Sequence, residues 1–545
     1  MKRAKKRNKA YPFYPQEELA DFRELLARGR GIPVAFLCRK EGKMVGRSGE
    51  EFYQDVSRFA EEFSRKYPRG EEKIAIIGEN CYEYLALFFA IIVSGNVAVP
   101  IDKDFELAKI LELLRRVGAR EVFFSEKYLK EFRGKSGVPE TAFLELGLWD
   151  EKAQKRVGGN SKKQGSDSIG APLTSPKKLS AIFFTSGTTG EPKGVMLSQE
   201  NMLADICYAT RNFELREGPA QAFLPFHHGF GLITAGLMPF YYQKTTIITS
   251  SLKDIQKDMK EGKPELTFAV PAVVETLYRQ IWRGARKQGR EGMLRFGVSA
   301  QEFLNKIGVD ASERIFRAVR SEFGGNLKFV ISGGAPLDPK YVKWFRKIGV
   351  EILNGYGITE GGPVLAVNRN EYGRDGSVGL AVKGCEVRAI EGEICARGKN
   401  IMLGYYKNPK ATNEVIRDGW LHTGDLGRVD RDGFIWITGR AKNLIILSNG
   451  ENVSPEEIEM KLARIEGVSE VIVFQEGEQI VAGIYPEEAF MDDFEHFNRA
   501  ILEYNRGVAK SQQVAMARLT REELPKNSAR KVVRSEAIKE FYERR

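Results

Sequence analysis

The chain has 545 residues with 84 Lys or Arg against 73 Asp or Glu, a net charge of +11. That length calls for about two to four domains with sizeable cores, and 42% apolar with 29% charged residues is a globular composition. Five scattered cysteines without a CxxC pair argue against a disulfide framework or zinc site and fit a reducing cytoplasm, while the longest apolar run, 85–93, is far shorter than the roughly 20 residues of a membrane span.

Residues 1–10 are basic, with no apolar h-region after them. They read as a solvated tail rather than a secretory signal, with weak attraction to an anionic lipid surface as the alternative. Phe52, Val56, Phe59 and Phe63 recur at helical spacing over 52–64. Residues 74–77 read as a buried strand, 81–94 as a helix and 97–100 as another strand, the alternation of a parallel sheet covered on both faces. Residues 158–178 are polar and rich in breakers, so they form a loop. A strand over 181–184, a Gly- and hydroxyl-rich loop, a short apolar run over 195–197 and a helix from Ser198 come next. Strands are then expected over 221–226, 245–249, 266–270 and 327–332. A helical stretch over 272–322 is basic through Arg279, Arg283, Arg286, Lys287, Arg290 and Arg295. It reads as a solvated face, or as a surface for a membrane or an acidic carrier. From about 385 short strands take over, punctuated by Asp418-Gly419 and Asp432-Gly433 turns. Ser454-Pro455-Glu456-Glu457 reads as a capping box with proline at the first helical position. Ile458, Leu462 and Ile465 make one helical face, and a strand follows at 471–474. The +11 charge comes with no zinc-finger spacing and no aromatic RNA-binding signature, so nucleic acid is not indicated as a partner.

The most informative stretch is Thr185-Ser186-Gly187-Thr188-Thr189-Gly190-Glu191-Pro192-Lys193-Gly194. Glycines let backbone N–H groups approach an anion, hydroxyls add donors, and Lys193 adds a mobile charge, so the stretch can hold a polyphosphate. Two residues separate Gly190 from Lys193, which is not Walker A spacing. A polar surface loop is the plain alternative.

In this order of residues the stretch resembles the signature loop of the AMP-forming adenylating enzymes: acyl-CoA synthetases, aryl-CoA ligases, luciferases and adenylation domains. The resemblance runs along nearly the whole chain. It implies an α/β fold with a large N-terminal domain, 1–441, of parallel and mixed sheets covered by helices plus a β-rich subdomain. A small mobile α+β C-terminal domain, 442–545, would follow a hinge at Lys442. Pro225–Gly231 resembles the segment lining the acyl pocket, with His228 at the pocket position. Gly333-Gly334-Ala335 resembles the turn beside adenine. In Asn354-Gly355-Tyr356-Gly357-Ile358-Thr359-Glu360, the resemblance implies Tyr356 on adenine, Thr359 on the α-phosphate, and Glu360 holding Mg²⁺ with Thr188. It assigns Asp425 to the ribose hydroxyls, Arg440 to ribose and phosphate, Gly450 to the thiol tunnel, and Lys531 to catalysis. The family has Ser/Thr-Gly before that lysine, where this chain has Ala529-Arg530; Lys526 is the competing lysine.

The implied reaction activates a carboxylic acid with ATP to acyl-AMP, releases pyrophosphate, and passes the acyl group to a thiol. The long-chain style of the Gly450 loop and of 270–275 points to a fatty acid and coenzyme A. Phosphopantetheine on an acyl carrier protein is the alternative acceptor, and an inactive nucleotide-binding scaffold is a third reading. The expected site is cytoplasmic or at a membrane surface. The sequence leaves the identity of the acid and the oligomeric state open.

Overall fold

The computed structural model describes residues 13–128, 132–148, 174–185, 191–213, 218–370, 372–448, 450–527 and 531–543. The basic tail 1–10, most of the 158–178 loop, Ser186 to Gly190 and Ala529-Arg530 lie outside the described residues. Two compact units emerge: Met1–Val387 with Ala396–Leu421, and Arg388–Cys395 with His422–Arg545. Lys442 falls in the second.

Two sheets build the first unit. The larger has nine strands. Its centre is parallel: Glu351–Tyr356, Phe329–Ser332, Leu266–Ala269, Ala220–Ala222, Thr246–Ile248 and Phe36–Lys40 run side by side in that order. The second sheet has seven strands, with Leu179–Thr185, Val97–Ile101, Lys73–Ile77 and Glu121–Phe124 adjacent at its centre. Residues 74–77 are buried without alternation because both faces of this sheet are covered. Helix Tyr82–Val93 is apolar all round and every residue in it is buried, as expected for a helix inside a core. Helix Gly49–Lys66 starts at a capping box, Ser48 with Glu51, and buries Phe52, Val56, Phe59 and Phe63, the face its spacing predicts.

One expectation needs correction, and a second is met with breaks. The strand expected over 221–226 is only Ala220–Ala222, because the chain passes Pro225 and enters a π-helical segment, Phe230–Leu237. The helical stretch 272–322 is broken into Pro271–Lys287, Glu291–Lys306, Ser312–Ile315 and Arg317–Ser321. Gly289 and Gly308, at φ of +66° and +82°, follow the first two helices, where the left-handed backbone ends an α-helix.

The second unit is α+β. Strand Val468–Glu476 pairs antiparallel with Gln479–Pro486, which pairs parallel with Met516–Leu519. Helices Pro455–Leu462 and Phe494–Arg506 bury Ile458, Leu462, Phe497 and Ile501 in a core with this sheet. Helix Arg534–Glu543 buries Ala537 and Phe541 in a second small cluster. Pro455 does open its helix, but the predicted capping box does not form. Ser454 Oγ instead donates to the Thr438 carbonyl at 2.7 Å and stands 3.0 Å from Glu456 Oε2. Tertiary pairing outcompetes the local cap here.

Candidate active site

In the first unit, strand Leu179–Thr185 pairs antiparallel with Lys193–Ser198, with Thr185 opposite Lys193. The hydroxyl- and glycine-rich loop therefore joins two antiparallel strands rather than a strand and a helix. No helix N-terminus follows Thr185 directly, so an anion held there, as the sequence leads one to expect, would have to be met by backbone N–H groups, hydroxyls and lysine charge. The far side of the loop is anchored. Lys109 Nζ donates to Glu191 Oε2 at 2.6 Å, and Arg116 Nη1 donates to the Pro192 carbonyl at 2.9 Å. Ser198 then caps helix Gln199–Thr210 by accepting from the Asn201 N–H.

Lys193 does not stand alone. Its ammonium lies 5.0 Å from the centroid of the Tyr405 ring. Tyr405 Oη donates to Glu360 Oε1 at 2.8 Å. The strand Gly404–Tyr405 pairs with Lys193–Ser198 and sets this junction, placing Tyr405 opposite Val195. One buried tyrosine thus connects the lysine after the glycine-rich loop to the carboxylate expected to hold a cation. Sequence reasoning missed Tyr405, because only strand pairing brings it to residues 45 and 212 positions earlier in the chain. Glu360 sits in a 3-10 turn, Thr359–Gly361, after strand Glu351–Tyr356. It is half-buried and offers carboxylate oxygen, the donor a hard dication prefers. Thr188 lies outside the described residues.

Around that turn the chain is closely packed. A Cβ on Gly357 would stand 1.8 Å from the Pro363 carbonyl oxygen, so no side chain fits there. A Cβ on Gly333 would meet the Phe230 ring at 3.3 Å and the Gly355 carbonyl at 3.6 Å. Phe230 in turn packs edge-on to Phe268, with ring centroids 6.3 Å apart. Gly333 is buried, whereas Gly334 and Ala335 are exposed on the turn after strand Phe329–Ser332. Asn354 is buried and Tyr356 half-buried on one strand. His228 stands one residue before Gly229, whose added Cβ would lie 3.8 Å from Thr359 Cγ2. His228, Phe230, Gly333 and Thr359 therefore belong to one neighbourhood. His227, the other member of the histidine pair, is buried with Nε2 3.3 Å from Asp102 Oδ1 and its ring 4.4 Å from that of His228. Behind the turn, Asp205 is fully buried and accepts the Val364 N–H at 2.7 Å. Burial pushes its carboxyl well above the usual range, and the Val364 hydrogen bond opposes this only in part.

In the second unit, Asp425 and Arg440 face each other across the hairpin of Trp420–Val429 and Ile435–Arg440. Their side chains form an ion pair through Arg440 Nε and Asp425 Oδ1, with Nη2 to Oδ2 at 3.4 Å. Asp425 is buried, and its N–H donates to Thr423 Oγ1 at 3.1 Å. His422 Nδ1 lies 2.8 Å from Glu393 Oε2, and Glu393 Oε1 accepts the Gly424 N–H at 2.8 Å, so this pair fixes the turn before Asp425. Lys442 is exposed in a 3-10 turn, and Gly450, at φ +82°, turns the chain between the short strands Ile445–Ile446 and Asn452–Val453.

Lys531 and Asn527 bond to each other twice through backbone and side chain, at 2.9 and 3.0 Å, and hold the ends of the intervening segment together. Lost hydration, then the Arg440 charge, push the Lys531 ammonium below the ordinary lysine range, while Asp425 works the other way. Lys531 as a whole is exposed, so its charge is crowded rather than sealed and Arg440 is the firmer cause. Lys526, the competing lysine, is spent in an ion pair with Glu470 and is largely covered.

Comparison with known proteins shows the family and the fold. The AMP-binding enzyme family matches residues 35–406, and the AMP-binding enzyme C-terminal domain matches 442–544. Long-chain-fatty-acid--CoA ligase FadD15 of Mycobacterium bovis is 30% identical over 441 residues, covering 76% of this chain and 72% of its own length. Long chain acyl-CoA synthetase 4 of Arabidopsis thaliana is 28% identical over 490 residues, covering 80% and 72%. The anthranilate CoA ligase AuaEII, solved with anthranoyl-AMP, superposes with a TM-score of 0.76 at 18% identity over 98% of each chain. ATP-bound MatB from Rhodopseudomonas palustris gives 0.74 at 21% identity over 96% of this chain and 99% of its own. At such identities these two structures establish the α/β fold alone. The chain belongs to the AMP-binding enzyme family.

Proposed function

We propose that this protein joins a long-chain fatty acid to coenzyme A in two half-reactions through acyl-AMP. In the first, a carboxylate oxygen attacks the α-phosphorus of ATP and pyrophosphate leaves. In the second, the thiol sulfur attacks the acyl carbonyl and AMP leaves. The observation that carries the reading is the convergence of Lys193 and Glu360 on Tyr405, which joins a phosphate-gripping charge to a cation-holding carboxylate. The names of the relatives support the fatty acid and coenzyme A.

The first half-reaction brings together two anions, so positive charge must be supplied where charge builds up. Lys193 and the Thr185–Gly190 loop grip the phosphates that leave. Lys531 neutralises charge at the α-phosphate, helped by Thr359. Glu360 and Thr188 would hold Mg²⁺, which supplies further neutralisation at the phosphates when bound. Tyr356 with the Gly333–Ala335 turn, Asn354, Gly355 and Gly357 frames the adenine; Asp425 and Arg440 take the ribose. The Asp425–Arg440 pair supports this by holding the carboxylate rigid while leaving it oxygen lone pairs for hydroxyl donors. His228 lines the acyl pocket. Lys442 is the hinge about which residues 442–545 turn between half-reactions, withdrawing Lys531 and presenting the Gly450 loop to the thiol. The five cysteines form no disulfide, which supports a reducing, cytoplasmic setting.

A pyrophosphate-release screen over acids of increasing chain length and aryl acids tests the substrate. Turnover rising toward long alkyl chains is expected, and turnover confined to aryl acids contradicts the reading. Supplying free coenzyme A or a holo-carrier protein tests the acceptor, and thioester formed on the carrier alone rules coenzyme A out.

A further inference from the structure

Helix Glu291–Lys306 and the residue after it carry an apolar stripe that none of the described residues of the first unit covers. Met293, Phe296, Phe303 and Ile307 are 70%, 75%, 63% and 62% exposed. At about 100° per residue these four positions fall within roughly 80° of one another, along about 21 Å of helix. The opposite side is seated on the protein: Leu294, Gly297 and Gln301 are buried, and a Cβ on Gly297 would touch Ile315 and Phe316. The stripe is therefore a real outer face of a docked helix. Its surroundings are strongly basic. Residues 271–321 hold ten Lys or Arg against five Asp or Glu. Of those acids, Glu291 already pairs with Arg286 and Arg295, and Glu302 with Lys347.

We infer that this face docks the enzyme onto an anionic lipid bilayer, with the apolar stripe among the acyl chains and the bases at the headgroups. With each of its four side chains more than three-fifths exposed, the stripe suits a partner that yields around exposed side chains, as a fluid bilayer does. The positive charge selects anionic lipid and disfavours a second copy of the same basic face. No helix among the described residues is long and apolar enough to cross a membrane, so the attachment is peripheral. Helix Pro271–Lys287 leaves strand Leu266–Ala269, whose Phe268 packs on Phe230, so this surface grows from the strand beside the candidate acyl pocket. The inference does not depend on the proposed reaction.

The test is flotation of the full chain with vesicles containing phosphatidylglycerol, or phosphatidylcholine alone, at low and high salt. The wild-type chain floats with the anionic vesicles. Phe296→Glu/Phe303→Glu lowers partitioning about tenfold or more, and Arg283→Glu/Lys287→Glu/Arg290→Glu removes the salt dependence. Leu502→Glu, on an exposed apolar position of the second unit, changes nothing. Thermal unfolding of each variant at the wild-type temperature excludes misfolding. The inference is overturned if the wild-type chain stays in solution or the Phe296/Phe303 variant floats equally well. It is also overturned if that variant instead dissolves a dimer or abolishes binding to an acidic carrier protein.

Discussion

Tyr405 offers the sharpest test of how the phosphate end of the site is built. Its hydroxyl donates to Glu360 at 2.8 Å and its ring lies 5.0 Å beneath the Lys193 ammonium, so two substitutions separate the two contributions. Tyr405→Phe keeps the ring and removes the donor. A hydrogen bond to a charged group contributes about 1.5–3 kcal/mol. Glu360 is half-buried, so water recovers part of that, leaving about 1–2 kcal/mol, or a roughly 5- to 30-fold loss in adenylation. Tyr405→Leu also removes the face under Lys193, adding about 0.5–1 kcal/mol, a further two- to fivefold. The assay is fatty-acid-dependent ATP–pyrophosphate exchange against ATP concentration, beside thioester formation from supplied acyl-AMP. Both variants should be impaired in exchange, leucine more than phenylalanine, and unimpaired from acyl-AMP. Wild-type exchange in Tyr405→Phe would show that the junction does not position Glu360. An equal loss in both half-reactions would assign Tyr405 to general folding.

Lys531→Ala should slow acyl-AMP formation by about 100- to 1,000-fold and leave thioester formation from supplied acyl-AMP near wild type, measured by single-turnover kinetics; equal loss in both overturns the assignment. Gly333→Ala pushes its methyl to 3.3 Å from Phe230, so kcat/KM for the preferred acid should fall about tenfold relative to an acid shorter by a few methylenes, and an unchanged ratio would remove Gly333 from the pocket wall. Asp205 has a raised carboxyl pKa in the folded chain, so the folded state holds a proton that the unfolded chain releases above its ordinary value. Its contribution is fully present below that ordinary value and is lost as pH rises toward the raised one. Asp205→Asn keeps the neutral shape and removes that loss, so its Tm advantage over wild type should grow from pH 5 to pH 7; a gap that stays constant or shrinks refutes the reading.

Much of the fold was legible because its signals are local. Residues 74–77 and 82–93 are apolar without alternation, which only a doubly covered strand and an enclosed helix tolerate. The order of motifs from Thr185 to Lys531 carried the family, since each is a short run with its own backbone demands. What stayed hidden depends on contacts far apart in sequence. Tyr405 reaches Lys193 and Glu360 only through strand pairing, and His227 meets Asp102 from 125 residues away. Ser454 looked like a cap, but its hydroxyl bonds the Thr438 carbonyl, a residue 16 positions earlier that only the fold brings to it. The break at Gly289 was visible as a glycine, yet helical periodicity on both sides masked it. Basicity around 283–295 was plain in the sequence, whereas the exposed stripe became clear only once the opposite face was seen seated on Ile315 and Phe316.

The central claim is that a carboxylate attacks the α-phosphorus of ATP. Turning over a long-chain fatty acid labelled with ¹⁸O in both carboxylate oxygens, with ATP and coenzyme A, tests it directly. One labelled oxygen should appear in AMP for each thioester formed, with unlabelled pyrophosphate. Label in inorganic phosphate with ADP as the product, or AMP without label, would contradict it.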